Sequence, residues 1–141
     1  MISNILVIGS TGKLGSSIIN YCANEKLNIF GLTGYTNFKK LKIQSRKLNV
    51  RHFFNLSVTS QKIKFIKFLE KYKFKVVYFL DYGSYSLNYI NIILRHNSNT
   101  YIAIANKEMI IAGGSFLRNK IHKTSNHLIP LDSEHFSLLN S

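Results

Sequence analysis

Three glycines at intervals of three punctuate the segment Gly9-Ser10-Thr11-Gly12-Lys13-Leu14-Gly15. A short apolar run, Ile5 to Ile8, precedes it, and a stretch with apolar residues at helical spacing follows. Such a turn has a chemical use. Glycine lets the backbone turn tightly, approach a pyrophosphate with no Cβ in the way, and bring the helix close to the strand. The helix N-terminus then offers free N–H groups and a partial positive charge to phosphate oxygens. A plain strand–helix turn is the alternative, because G-x-x-G-x-x-G is not the commonest dinucleotide fingerprint.

A second cue lies after the next apolar segment. Leu32-Thr33-Gly34-Tyr35-Thr36-Asn37-Phe38-Lys39-Lys40 contains no acid. An NAD site usually carries Asp or Glu there for the ribose hydroxyls. Hydroxyls, an amide and two lysines suit a 2′-phosphate instead, which favours NADPH over NADH. Acids are scarce throughout the chain, numbering six. Two of them, Asp132 and Glu134, stand two apart directly after an apolar run. In extended chain such residues point to one face, so two oxygen ligands converge in a way that suits Mg²⁺ or Mn²⁺. His135 beside them reads as a hydrogen-bonded structural histidine. Ala105-Asn106-Lys107-Glu108 also follows an apolar run. Its lysine and acid form either a solvated first helical turn or, beside a nucleotide, a contact to cofactor and substrate.

These residues need elements to position them. Strands are expected at 5–8, 27–33, 50–55, 75–80, 101–105 and 127–131. Helices are expected at 14–24, 38–48, 60–72, 87–95 and 108–119, the last tolerating Gly113-Gly114. The alternation indicates a single α/β domain with a largely parallel sheet. Ligands of such sheets bind at the carboxyl ends of the strands, and every motif above falls just after a strand.

Composition bounds the rest. The chain has 141 residues, 45% hydrophobic and 18% charged. That is enough for one core burying roughly two thirds of the unfolded surface. The net charge of +13 first suggests nucleic acid. However, Ile, Lys and Asn supply 48 of the 141 residues, a profile that AT-rich codon bias produces without selection for a polyanion. The densest basic stretch, Lys62 to Lys75, alternates with Ile63, Phe65, Ile66, Phe68 and Leu69, as the solvated face of an amphipathic helix does. The single cysteine, Cys22, allows no internal disulfide. Apolar runs of about five residues fall far short of the ~20 that span a bilayer. The N-terminus reads as a strand rather than a signal peptide. No membrane contact, no specific nucleic-acid partner and a cytoplasmic location are expected.

Three motifs together resemble the 1-deoxy-D-xylulose 5-phosphate reductoisomerase family: I-G-S-T-G-K-L-G at 8–15, I-A-N-K-E at 104–108 and I-P-L-D-S-E-H at 129–135. The resemblance implies a Rossmann-like doubly wound, largely parallel sheet with helices on both faces. It also implies an NADPH- and divalent-metal-dependent oxidoreductase of isoprenoid biosynthesis, which forms 2-C-methyl-D-erythritol 4-phosphate. Thr11, Gly12, Lys13 and Leu14, in the turn opened by Gly9, match contacts to the NADPH phosphates; Lys13 stands where the family usually has Ser. Asn37, Asn106 and Glu108 match further NADPH contacts. Lys107 and Ser133 match substrate contacts, and Asp132 and Glu134 metal ligands, with Glu134 also facing substrate; Lys107 and Glu134 are the catalytic residues the resemblance implies. Tyr35 and Thr36 replace the glycine and basic residue usual before Asn37. Gly83-Ser84-Tyr85-Ser86-Leu87 is an eroded form of the family's G-x-x-G-L.

On this resemblance, residues 1–141 are an NADPH-binding domain ending in the first metal-ligand motif. The family's catalytic lid, third carboxylate, phosphate clamp and C-terminal helical domain lie beyond it. The chain is then a truncated, split or decaying N-terminal portion, inactive alone. A second chain could supply the remainder, a phosphorylated sugar is the substrate, and the family forms homodimers. The competing readings are another NADP-binding Rossmann oxidoreductase, on the glycine turn alone, and a basic nucleic-acid-binding module, on charge alone.

Overall fold

The computed structural model describes residues 4–80, 86–105 and 107–131, leaving aside the side chains of 86 and 107–113. Six strands and five helices alternate: β1 (Ile5–Ile8), α1 (Lys13–Asn24), β2 (Ile29–Gly34), α2 (Phe38–Lys47), β3 (His52–Asn55), α3 (Thr59–Lys71), β4 (Val76–Phe79), α4 (Ser86–His96), β5 (Tyr101–Ile104), α5 (Lys107–Lys123) and β6 (His127–Pro130). The strands form one sheet in the order β3-β2-β1-β4-β5-β6. Every pairing is parallel.

Alternation along the strands divides the core in two. Leu6 and Ile8 of β1 join Val77, Phe79, Ile102 and Ile104 under α3, α4 and α5. Ile5 and Val7 face the opposite way, onto Ile18, Ile19 and Cys22 of α1 and Leu41 of α2. Both faces of β1 are thus covered, which is why its sequence is apolar throughout. The helices bury residues at i, i+3 and i+4, as Phe65, Phe68 and Leu69 of α3 do. Its lysines 62, 64, 67 and 71 are exposed. The expected doubly wound α/β fold is therefore the observed one.

Three details differ from expectation. β2 and β3 begin two residues later than the sequence pattern suggests, because Leu27 and Val50 close the preceding helices. Leu27 N–H donates to Cys22 O and Val50 N–H to Ser45 O. The residues before them, Lys26 and Asn49, take left-handed backbone at φ 54° and 56°. This is the capping arrangement in which glycine is usual. Ser125, φ 60°, does the same after α5. The third difference is in α5 itself, which does not run straight through its glycine pair: Gly114 adopts φ 47°, ψ −138° and breaks the helix into two.

Candidate functional site: the carboxyl rim at the strand-order switch

β1 and β4 are neighbours whose following helices lie on opposite faces of the sheet. Their carboxyl ends therefore open a crevice at the point where strand order reverses. The glycine turn stands there, and its glycines have separate duties. Gly9 takes φ 90°, a conformation that other residues rarely adopt. A Cβ on Gly15 would come 2.6 Å from Ser10 Cα and closer still to Gly9 O, so only glycine lets α1 dock on the turn. At Gly12 a Cβ would meet nothing within 4 Å. This glycine borders open space at the mouth of α1.

The turn is fastened from behind. Gly9 N–H donates to Thr33 Oγ1 at 3.0 Å. Ser10 N–H donates to Thr33 O at 2.9 Å. Ser10 is fully buried, and its hydroxyl donates to Gln44 Oε1 at 2.8 Å while Gln44 Nε2 donates back to Ser10 O at 2.9 Å. Among the described residues nothing bonds the front of the turn. Gly12 is the N-cap of α1 and offers no side-chain bond, and no acid stands in the first turn. The uncapped N–H groups and the positive end of the helix dipole face outward together, which suits a phosphate.

The other expected residues fall as follows. Thr11, Gly12, Lys13 and Leu14 share the turn. Lys13 is exposed, whereas the Leu14 side chain packs into the core under α1, leaving its backbone N–H for any anion. Asn37 lies three residues past β2, where its side chain accepts the Lys40 N–H at 3.0 Å and caps α2. The end of β2 touches the turn, since a Cβ on Gly34 would lie 3.1 Å from Thr11 Cγ2. Lys107 begins α5, directly after β5; its side chain and that of Glu108 lie outside the described residues, as does all of Asn106. Asp132, Ser133 and Glu134 also lie outside them, as do residues 81–85. The strands that lead to these motifs are described. β5 and β6 run parallel to β1 with their carboxyl ends on the same rim, β6 three positions away, about 14 Å at ~4.8 Å per strand.

Gln44 and Ser10 were not anticipated. The signal was present: Leu41, Gln44 and Ser45 form the buried stripe of α2, and a glutamine on such a stripe must find partners.

Titration does not point elsewhere. Burial pushes the Cys22 thiol, on the inner face of α1, up to about 11, leaving it protonated. Burial, then Cys22 and Tyr21, push Tyr78 up to about 12. His52 is held below its usual value by burial and by Arg51 and Lys71, but it begins β3, at the opposite rim. The chain's basic residues are concentrated, 12 of 19 between residues 38 and 75. Nine of these twelve nevertheless split between α2 and α3, on opposite faces of the sheet. Among the described residues no helix is long and apolar enough to cross a membrane, and no group of three metal-ligating side chains occurs.

A parallel sheet of this order with a glycine turn at its switch defines a dinucleotide-binding domain, and the chain belongs to the NAD dependent epimerase/dehydratase family, whose model matches residues 5–106. A more particular likeness extends further along the chain. It is 33% identical to the 1-deoxy-D-xylulose 5-phosphate reductoisomerase of Pelagibacter ubique, over 95% of this chain and 39% of that protein. The reductoisomerase of Malacoplasma penetrans is 29% identical, over 97% and 36%. The fold matches that of the Zymomonas mobilis reductoisomerase in complex with NADPH at a TM-score of 0.79, with 18% identity, over 96% of this chain and 40% of that one. The resemblance carried by the three sequence motifs is thereby borne out. The chain spans about two fifths of the length of these relatives.

Proposed function

We infer that residues 1–141 are the NADPH-binding domain of a reductoisomerase that converts 1-deoxy-D-xylulose 5-phosphate to 2-C-methyl-D-erythritol 4-phosphate, a cytoplasmic step of isoprenoid biosynthesis. The observation that carries this reading is the glycine turn at the sheet's switch point, open at Gly12 and close-packed at Gly15. The likeness to reductoisomerases along nearly the whole chain supports this reaction.

In this reading the N–H groups from Thr11 to Leu14 hold the cofactor's phosphates. The segment from Tyr35 to Lys40, with its hydroxyls, Asn37 and two lysines, holds the 2′-phosphate. Asn106 and Glu108 line the path from β5 toward the nicotinamide, and Lys107 and Ser133 hold the sugar phosphate. Asp132 and Glu134 supply two carboxylates of the oxygen-rich type that Mg²⁺ or Mn²⁺ takes. The bound groups supply a hydride and a Lewis acid for the substrate ketone. Two carboxylates do not complete a coordination shell, so the remaining ligands and the phosphate clamp would come from the portion corresponding to the relatives' other three fifths.

The full chain should bind NADPH, read as enhanced nicotinamide fluorescence and a raised melting temperature, and bind NADH about tenfold more weakly. It should not turn over substrate alone. Gly12→Asp should keep the fold, since the position is open and Asp caps helices well, and lose NADPH. Folded protein that responds to neither nucleotide would overturn the assignment. If it binds NADPH but Asp132→Asn leaves metal affinity unchanged in the complemented enzyme, it is a different NADP-dependent oxidoreductase.

A further inference from the structure

We propose that Gln44, a residue of α2 far from the turn in sequence, is a positioning residue that aims the Thr11 N–H at the cofactor's pyrophosphate. This rests on the NADPH-binding role inferred above. Gln44 and Ser10 stand 34 residues apart and meet through two reciprocal bonds, Ser10 Oγ to Gln44 Oε1 at 2.8 Å and Gln44 Nε2 to Ser10 O at 2.9 Å. Both side chains are buried. A trans peptide directs its C=O and its following N–H in opposite senses, and the described residues contain no cis bond. Holding Ser10 O toward α2 therefore turns the Thr11 N–H away from α2. That N–H has no acceptor among the described residues.

The neighbouring bonds do not do this work. Gly9 and Ser10 donate their own N–H groups to Thr33, which fixes the base of the turn. Among the described residues, only Gln44 holds the carbonyl of the peptide between Ser10 and Thr11. Without it the peptide loses the bond that sets its tilt, and the donor is held less closely where a phosphate oxygen would meet it. Gln44 touches no cofactor; it acts through Ser10.

The test compares Gln44→Met, nearly the same volume without the amide, with Asn97→Leu, which removes a buried amide at the opposite rim. Both should lower the melting temperature. Gln44→Met should weaken NADPH binding about tenfold and abolish the shift of the Thr11 amide resonance on adding pyrophosphate. Asn97→Leu should change neither. Gln44→Glu supplies a second measurement if the methionine variant does not fold. Its carboxyl can donate to Ser10 O only when protonated, so NADP⁺ affinity should recover as pH falls through the carboxyl's range, while the parent protein shows no such recovery. A stability loss in Gln44→Met with unchanged NADPH affinity and an unchanged Thr11 shift would refute the positioning role. So would pH-independent binding by Gln44→Glu. A parent chain that does not bind NADPH would instead refute the domain's assigned function.

Discussion

The two rims of one parallel sheet use their polar groups in opposite ways. At the amino rim the loops are sealed. Asn97 accepts the Phe74 N–H at 2.8 Å and donates to Ile93 O. Asn126 accepts the Thr100 N–H at 2.9 Å and donates to Asn97 O. Thr100 Oγ1 donates to Phe74 O at 2.6 Å. All three side chains are buried, and each bond satisfies a backbone group that would otherwise be stranded. At the carboxyl rim Asn37 caps α2, but among the described residues the glycine turn is bonded only from behind, and its outward N–H groups have no cap. Helices that return antiparallel to the strands begin at the carboxyl rim, so their positive ends gather there. The sealed rim holds the fold, and the glycine turn is a place on the other rim able to take an anion.

Substitutions can break that division, and the largest effect is expected at the joint between turn and helix. Gly15→Val forces a branched side chain into Gly9 O and Ser10. Chemical denaturation should report a loss of about 3 kcal/mol, with NADPH binding lost as well, because turn and helix move apart. On the sealed rim, Asn126→Ala strands the Thr100 N–H and should cost about 2 kcal/mol in the same assay. Here NADPH affinity of the folded protein should stay unchanged; a parallel loss of binding would show that the rims are not separable.

A smaller effect of opposite sign is expected from the helix ends of the sealed rim. Lys26 and Ser125 hold left-handed backbone at φ 54° and 60°, which strains residues bearing a Cβ. Lys26→Gly and Ser125→Gly should each add about 0.5–1 kcal/mol of stability, visible as raised melting temperatures. The smallest effect is a pH slope. His52 packs against Phe30 and Phe68, ring centroids 4.8 and 4.9 Å away, and its folded value lies below the ordinary 6.5. Between those values the unfolded chain binds more protons, so this contribution is complete above 6.5 and declines as pH falls through that window. His52→Phe should flatten that part of the stability profile measured by urea midpoints.

Much of this was legible before any coordinates. The strand–helix alternation follows from local periodicity, and β1 and α3 lie within a residue or so of where the apolar pattern puts them. Helix ends were less legible. Glycine is the usual mark of a left-handed cap, and this chain puts Lys26, Asn49 and Ser125 there instead. Leu27 and Val50 consequently looked like the first residues of strands. Gly114 was visible as a glycine, but nothing local distinguishes a tolerated one from a break.

By itself the amino-acid sequence determined the element types, the glycine spacing and the succession of motifs after strands, because each depends on residues within a few positions of one another. Only the tertiary structure decided the strand order with its reversal beside β1, and the meeting of Ser10 with Gln44. These depend on which distant apolar faces bury one another, and that choice leaves no local trace in the chain.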